Sequence, residues 1–148
     1  MSDYFISYMP VEPNYIPSKN IAKQLSELEI HGCTTVLEIE DILKFADAGA
    51  NFESVRCPYC DADIIKWWGG AMGNAYDMDE GFTDLEICTP CCGAKSTLND
   101  LNYHFPQGFY RTRLFAEPFV DAQIDTNSIC VKLETITGMK WRAIHQHL

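Results

Sequence analysis

Long apolar runs are missing from this sequence. No stretch approaches the ~20 consecutive apolar residues that a membrane-spanning helix needs, so we expect no membrane association. The opening residues, MSDYFISYMP, lack the basic segment and apolar run of a secretory signal. These two absences favour a cytoplasmic protein.

Motifs of several large enzyme classes are also absent. The sequence contains no phosphate-binding glycine loop, no nucleophile elbow and no H-E-x-x-H helix. No pair of carboxylates stands in a context that suggests acid–base catalysis. With one exception, described below, nothing in the sequence points to an enzyme.

Basic residues are scarce. The chain has 11 Lys and Arg against 21 Asp and Glu, a formal net charge of −10. The excess lies in the first two thirds: residues 1–56 carry nine acids and four bases, residues 57–98 seven and two, and residues 99–148 five and five. Such a field repels phosphate backbones and attracts basic proteins. We therefore expect no nucleic-acid binding and a basic protein partner.

Cysteine, in contrast, is abundant for a chain without an export signal. There are seven cysteines, an odd number, which argues against a disulfide framework. Five of them lie between positions 57 and 92. This clustering indicates metal or redox chemistry.

Two short turns within that segment carry the cysteines. Cys57-Pro58-Tyr59-Cys60 and Cys88-Thr89-Pro90-Cys91 each separate two thiols by two residues, and a proline favours a tight turn in both. Two such turns can direct four thiolates at one tetrahedral zinc ion. We predict one structural zinc bound by Cys57, Cys60, Cys88 and Cys91.

The second pair has an alternative. A glycine usually follows the second ligand of such a turn, and here Gly93 follows Cys92. That register would make Cys92 a ligand and would put Thr89, not a cysteine, three residues before it. Cys92 is therefore the alternate ligand to the Cys88 and Cys91 choice.

Residues 55–98 resemble the zinc-ribbon and treble-clef families, whose turns read C-P-x-C and C-x-x-C-G. The resemblance implies a metal site and says little about activity, because ribbons serve many roles. It implies a small zinc-ribbon insert at residues 55–98 within a single domain spanning residues 1–148.

Two other functions remain open. Cys57-Pro58-Tyr59-Cys60 is identical to the motif of glutaredoxins, which implies a thiol–disulfide oxidoreductase with Cys57 as the attacking thiol. That alternative leaves Cys88, Cys91 and Cys92 without a role. A nucleic-acid-binding ribbon is the third hypothesis, and it would need a basic face that the charge count does not support.

Outside the insert, hydrophobic patterns predict the order β-α-β followed by β-α-β. The expected strands are residues 4–8, 34–39, 109–115 and 141–145, and the helices follow Ser18 and Asp125. This order is the split βαβ pattern. We expect an α+β, ferredoxin-like sandwich with the zinc ribbon inserted between its second and third strands.

The whole chain looks like small zinc-ribbon proteins of bacteria, and in size and acidity it is similar to bacterial toxin-immunity proteins. That similarity implies a non-enzymatic interaction protein, in its sharpest form an immunity protein or antitoxin that inhibits a basic toxin. The acids Asp77, Asp79, Glu80 and Asp84 are either a solvated loop or part of the docking surface for that partner.

Overall fold

The computed structural model describes residues 4–49, 52–119 and 123–147, which form three helices and ten strands. The strands are β1 Tyr4–Pro10, β2 Cys33–Ala46, β3 Ser54–Arg56, β4 Tyr76–Asp77, β5 Gly81–Phe82, β6 Glu86–Cys88, β7 Lys95–Thr97, β8 Asn102–His104, β9 Gly108–Pro118 and β10 Trp141–His147. The helices are α1 Lys19–Ser26, α2 Ile65–Ala75 and α3 Thr126–Thr137.

The ends of α1 and α3 follow from local side-chain chemistry. The Ser18 hydroxyl accepts the Ile21 backbone N–H at 3.3 Å, and the Asp125 carboxylate accepts that of Ser128 at 3.1 Å. Both are N-caps that satisfy an otherwise unpaired helix donor. Gly138 ends α3 with φ 75°, a left-handed conformation that glycine adopts without a steric penalty.

The main sheet has six strands in the order β10-β1-β9-β2-β5-β4, with antiparallel pairing throughout. Two small sheets, β3-β8 and β6-β7, complete the strand pairing among the described residues. The protein is thus a mixed α/β structure built on an antiparallel sheet, which agrees with the predicted class. No described helix is long and apolar enough to cross a membrane.

Two hydrophobic cores meet at β9. Leu114 and Ala116 pack in the first core with side chains of β1, α1 and α3, among them Leu25 and Leu133. Phe109, at the start of the same strand, packs in the second core. That core also contains Leu43, Val55, Cys57, Ile64, Leu85, Leu98, Leu101 and Tyr103. The cysteine-rich segment therefore packs directly on the main sheet.

Several element bounds differ from the expectations. The second strand, predicted over residues 34–39, continues to Ala46. The sequence pattern of residues 41–54 fits either a strand or a short helix. A register shift between Ile39 and Lys44 interrupts the pairing of β2 with β9. The sequence pattern predicts that the first helix ends at Gly32, but α1 ends earlier, at Ser26. Within the cysteine-rich segment the pattern predicts a strand over residues 85–87, and the structure has it at Glu86–Cys88.

Strand pairing connects the cysteine-rich segment to the rest of the fold. Its flanks pair with each other, because β3 pairs with β8, and β5 within it pairs with β2 of the main sheet. The predicted single domain and the predicted insert both stay predictions.

Asn99 connects the second core to the main sheet. This buried side chain donates to the Val11 carbonyl at 3.0 Å, and its Oδ1 accepts the Phe109 backbone N–H at 2.8 Å and an Arg142 N–H at 2.5 Å. A Cβ on Gly108 would collide with an Arg142 guanidinium nitrogen, so a larger residue there would displace Arg142 from this contact.

We expect Asn99→Ala to lower the free energy of unfolding by about 1–3 kcal/mol, because it leaves the buried Phe109 N–H without a partner and removes an acceptor from Arg142. Urea denaturation measures the difference. The control is Asn20→Ala at an exposed position of α1. We expect it to change the free energy of unfolding by less than about 0.5 kcal/mol. Equal effects of both substitutions would contradict the connecting role of Asn99.

Candidate metal centre

Two turns with the same backbone hydrogen bonds build the centre. In the first, the Cys57 N–H donates to the Ala62 carbonyl at 2.9 Å and the Asp61 N–H donates to the Cys57 carbonyl at 3.0 Å. In the second, the Thr89 N–H donates to the Ala94 carbonyl at 2.9 Å and the Gly93 N–H donates to the Thr89 carbonyl at 2.9 Å. We call these the first knuckle, residues 57–62, and the second knuckle, residues 89–94.

The residue at the fifth position of each knuckle has a positive φ. Gly93 has φ 70° and Asp61 has φ 62°. Aspartate is among the few residues other than glycine that tolerate this conformation, and the Arg56 guanidinium donates to the Asp61 carbonyl at 2.9 Å. The shared conformation aligns the knuckles position by position: Cys57 with Thr89, Tyr59 with Cys91, and Cys60 with Cys92.

The knuckles bring four sulfurs together. The Sγ atoms of Cys57, Cys60, Cys91 and Cys92 all lie within 4.8 Å of one another. The Cys60–Cys91 distance is 3.3 Å and the Cys57–Cys92 distance is 3.7 Å. Four thiolates around zinc at about 2.3 Å stand about 3.8 Å apart, so the cluster has the dimensions of a tetrahedral site. These four cysteines could bind a metal ion such as zinc.

The cluster contains three of the predicted ligands together with the alternate. Cys92 joins Cys57, Cys60 and Cys91, and Cys88 lies outside the group. The reason is the register of the second knuckle, which begins at Thr89. Cys88 is the last residue of β6, and successive side chains of an extended chain point in opposite directions. With Thr89 buried at the knuckle, Cys88 is exposed and lines a neighbouring groove.

Thr89 was not anticipated as part of the site. It is 2% exposed, its Oγ1 accepts the Ala94 N–H at 3.2 Å, and the same oxygen lies 3.3 Å from the Cys92 sulfur. Because the Thr89 hydroxyl oxygen accepts from Ala94, its O–H can donate a hydrogen bond to a Cys92 thiolate. The sequence signal for this role was Gly93, which sets the register of the knuckle.

The thiols of the cluster have unequal pKa values. Burial alone raises the pKa of Cys57, but backbone N–H groups of Cys60 and Tyr59 that donate to its sulfur lower the pKa to about 6. The Thr89 hydroxyl and the Ala94 N–H lower the pKa of Cys92.

Cys60 behaves differently. A backbone hydrogen bond at Ala62 favours its thiolate, yet the adjacent Cys91 sulfur and burial raise its pKa to about 12. A cluster this close cannot hold four negative charges without a cation. A bound metal ion removes that conflict, because it stabilises every coordinating thiolate.

Comparisons of the chain with protein-family models, with curated proteins and with solved structures return no match. The chemistry of the centre therefore has to be judged from its own geometry.

We expect Thr89→Val to weaken zinc binding by about 10–100-fold, the range for loss of a hydrogen bond to a metal ligand. Competition with a chelating dye measures the affinity. Thr83→Val is the matched control at an exposed position, and it should leave the affinity unchanged. If both variants bound zinc like the parent protein, the hydroxyl would have no role in the site.

Proposed function

We propose that the protein binds one structural zinc ion through Cys57, Cys60, Cys91 and Cys92, and that it acts as a non-enzymatic interaction protein. The observation that supports this most strongly is the convergence of four sulfurs within 4.8 Å on two matching knuckles. Zinc suits the donor set, because thiolates in a tetrahedron are its usual structural ligands.

The fold supports a finer proposal as well. Four strands of the main sheet, β10-β1-β9-β2, are antiparallel neighbours, and α1 and α3 follow β1 and β9 along the chain. We propose that these elements form a ferredoxin-like, split βαβ unit and that the zinc-bearing segment is an insertion between β2 and β9.

The glutaredoxin-like alternative has less geometric support. A reactive thiol of that type sits exposed at a helix N-terminus. Cys57 is 1% exposed, and the next helix, α2, begins eight positions later at Ile65. The nucleic-acid alternative is disfavoured by the net charge of −10. Two of the basic side chains are also engaged within the protein: Arg113 pairs with Glu38 at 2.7 Å, and Arg142 donates to Asn99.

The proposed partner is a basic protein, and an acidic groove supports that class. The groove has a volume of about 660 Å³ and runs between α2 and β6. Its wall includes Trp67 and the carboxylates Asp77, Asp84 and Glu86. A tryptophan side chain beside several carboxylates suits a segment rich in lysine or arginine.

Helix α2 contains three glycines, and one of them, Gly70, lines this groove. A Cβ placed on Gly69, Gly70 or Gly73 would meet nothing within 4 Å, so no packing within the described chain requires glycine there. Each glycine costs about 1 kcal/mol in a helix interior. An open backbone surface of this kind lets a partner segment approach closely.

Inhibition of a basic toxin, in the manner of an immunity protein or antitoxin, is the sharpest form of this proposal. It implies that the protein acts in the cytoplasm.

We expect elemental analysis to find about one zinc per chain, and chelation to lower the thermal unfolding midpoint. Cys57→Ser and Cys92→Ser should lose the ion. Cys88→Ser is the matched control: it removes an exposed cysteine of the same segment outside the cluster and should retain zinc. Loss of zinc in Cys88→Ser with retention in Cys92→Ser would restore the ligand set first expected.

We expect the variant Asp77→Asn, Asp84→Asn, Glu86→Gln to bind a basic partner at least about tenfold more weakly, with a smaller dependence on salt. Proteins retained by the zinc-loaded chain would first be identified, and their affinities then measured by calorimetry.

The charge-matched control for the groove is Glu27→Gln, Glu29→Gln, Glu134→Gln, which removes three exposed acids elsewhere. It should bind almost as tightly as the parent. Equal weakening by both triple variants would show that overall charge, not the groove, attracts the partner.

A further inference from the structure

The two knuckles have the same backbone but present their sulfurs from different positions. The first knuckle uses positions one and four, Cys57 and Cys60. In the second knuckle Thr89 occupies position one, and the sulfurs come from positions three and four, Cys91 and Cys92. Only one of the four sulfurs therefore comes from a third position.

The third position of this turn is oriented toward solvent. In the first knuckle it holds Tyr59, whose side chain is 63% exposed and donates from its hydroxyl to the Lys95 carbonyl at 3.0 Å. Cys91, its counterpart, is exposed, as are Cys60 and Cys92 at the fourth positions, whereas Cys57 at the first position is buried. Backbone N–H groups of Tyr59, Ala62 and Ala94 donate to the sulfurs of Cys57, Cys60 and Cys92, respectively. The Cys91 sulfur instead has the Cys60 sulfur as its neighbour at 3.3 Å.

A second groove borders Cys91. It has a volume of about 450 Å³, and its wall includes Ile65, Lys66, Trp67, Pro90 and Cys91. The Cys91 side of the cluster thus adjoins a partly apolar space that could hold the body of an incoming molecule.

From this geometry we infer that Cys57, Cys60 and Cys92 hold the metal permanently, and that Cys91 is an exchangeable ligand which an external thiolate can replace. The inference rests on the zinc binding proposed above. In the exchange, the incoming thiol transfers its proton to the Cys91 sulfur as the metal–Cys91 bond breaks and a bond from the metal to the external sulfur forms. No electrons are transferred, so neither oxidant nor reductant is needed.

Cobalt(II) reports the exchange, because its visible absorption depends on the number of thiolate ligands. The protein is kept reduced with a phosphine, which adds no thiol. We expect Cys91→Ser still to bind one cobalt ion per chain, with a smaller loss of affinity than Cys92→Ser. Added 2-mercaptoethanol should then shift its spectrum to that of the parent protein.

A double variant tests the register directly. Thr89→Cys, Cys91→Ser puts a thiol at the first position of the second knuckle, where Cys57 stands in the first. We expect a four-thiolate cobalt spectrum without added thiol, and no further change when 2-mercaptoethanol is supplied. Because this variant restores the ligand number, it remains informative if Cys91→Ser alone fails to fold.

Cys92→Ser and Cys88→Ser are the comparison variants. We expect Cys92→Ser to lose stoichiometric cobalt binding and Cys88→Ser to match the parent, with circular dichroism confirming the folded state. The inference is overturned if folded Cys91→Ser loses cobalt as completely as Cys92→Ser, or if 2-mercaptoethanol leaves its spectrum unchanged. It is also overturned if the folded double variant lacks the four-thiolate spectrum at saturating cobalt, where the weaker binding expected from loss of the Thr89 hydroxyl no longer matters. If the parent itself binds neither cobalt nor zinc, the proposed function fails instead.

Discussion

Four thiols held within 4.8 Å of one another impose the main physical constraint on this protein. Backbone hydrogen bonds of the two knuckles hold the sulfurs in place. Because the sulfurs lie so close together, all four thiols cannot ionise without a cation. The opposite pKa shifts of Cys57 and Cys60 express that conflict. A bound metal ion would stabilise the cluster, because each thiolate then binds the cation and the repulsion between thiolates is offset.

We expect the segment around the cluster to depend on a bound metal ion for part of its stability. Its strand pairs, β3 with β8 and β6 with β7, are each three residues long, and isolated two-stranded pairs are marginally stable in water. The second core compensates in part by sharing Phe109 and Leu43 with the main sheet. A metal ion between residues 57–60 and 91–92 would close the segment at one further point, much as metals stabilise small domains with limited cores.

Local chemistry made part of this structure predictable. Ser18 and Asp125 precede helices as expected, and Gly138 ends one, through hydrogen bonds and backbone preferences that act over three or four residues. The cysteine cluster was predictable because ligand spacing is also local. The choice between Cys88 and Cys92 depended on two local signals that disagreed. Spacing favoured Cys88, but the requirement for a left-handed residue after the last ligand places Gly93, and with it Cys92, in register. The pairing of β5 with β2 joins residues some forty positions apart, and no local pattern encodes it.

X-ray absorption spectroscopy of the zinc-loaded protein tests the central claim most directly, because it counts the atoms bound to the metal and measures their distances. Four sulfurs at about 2.3 Å from zinc are the predicted result for the parent protein. A first shell dominated by nitrogen or oxygen would contradict the account, since Cys57, Cys60, Cys91 and Cys92 would then not form the metal site.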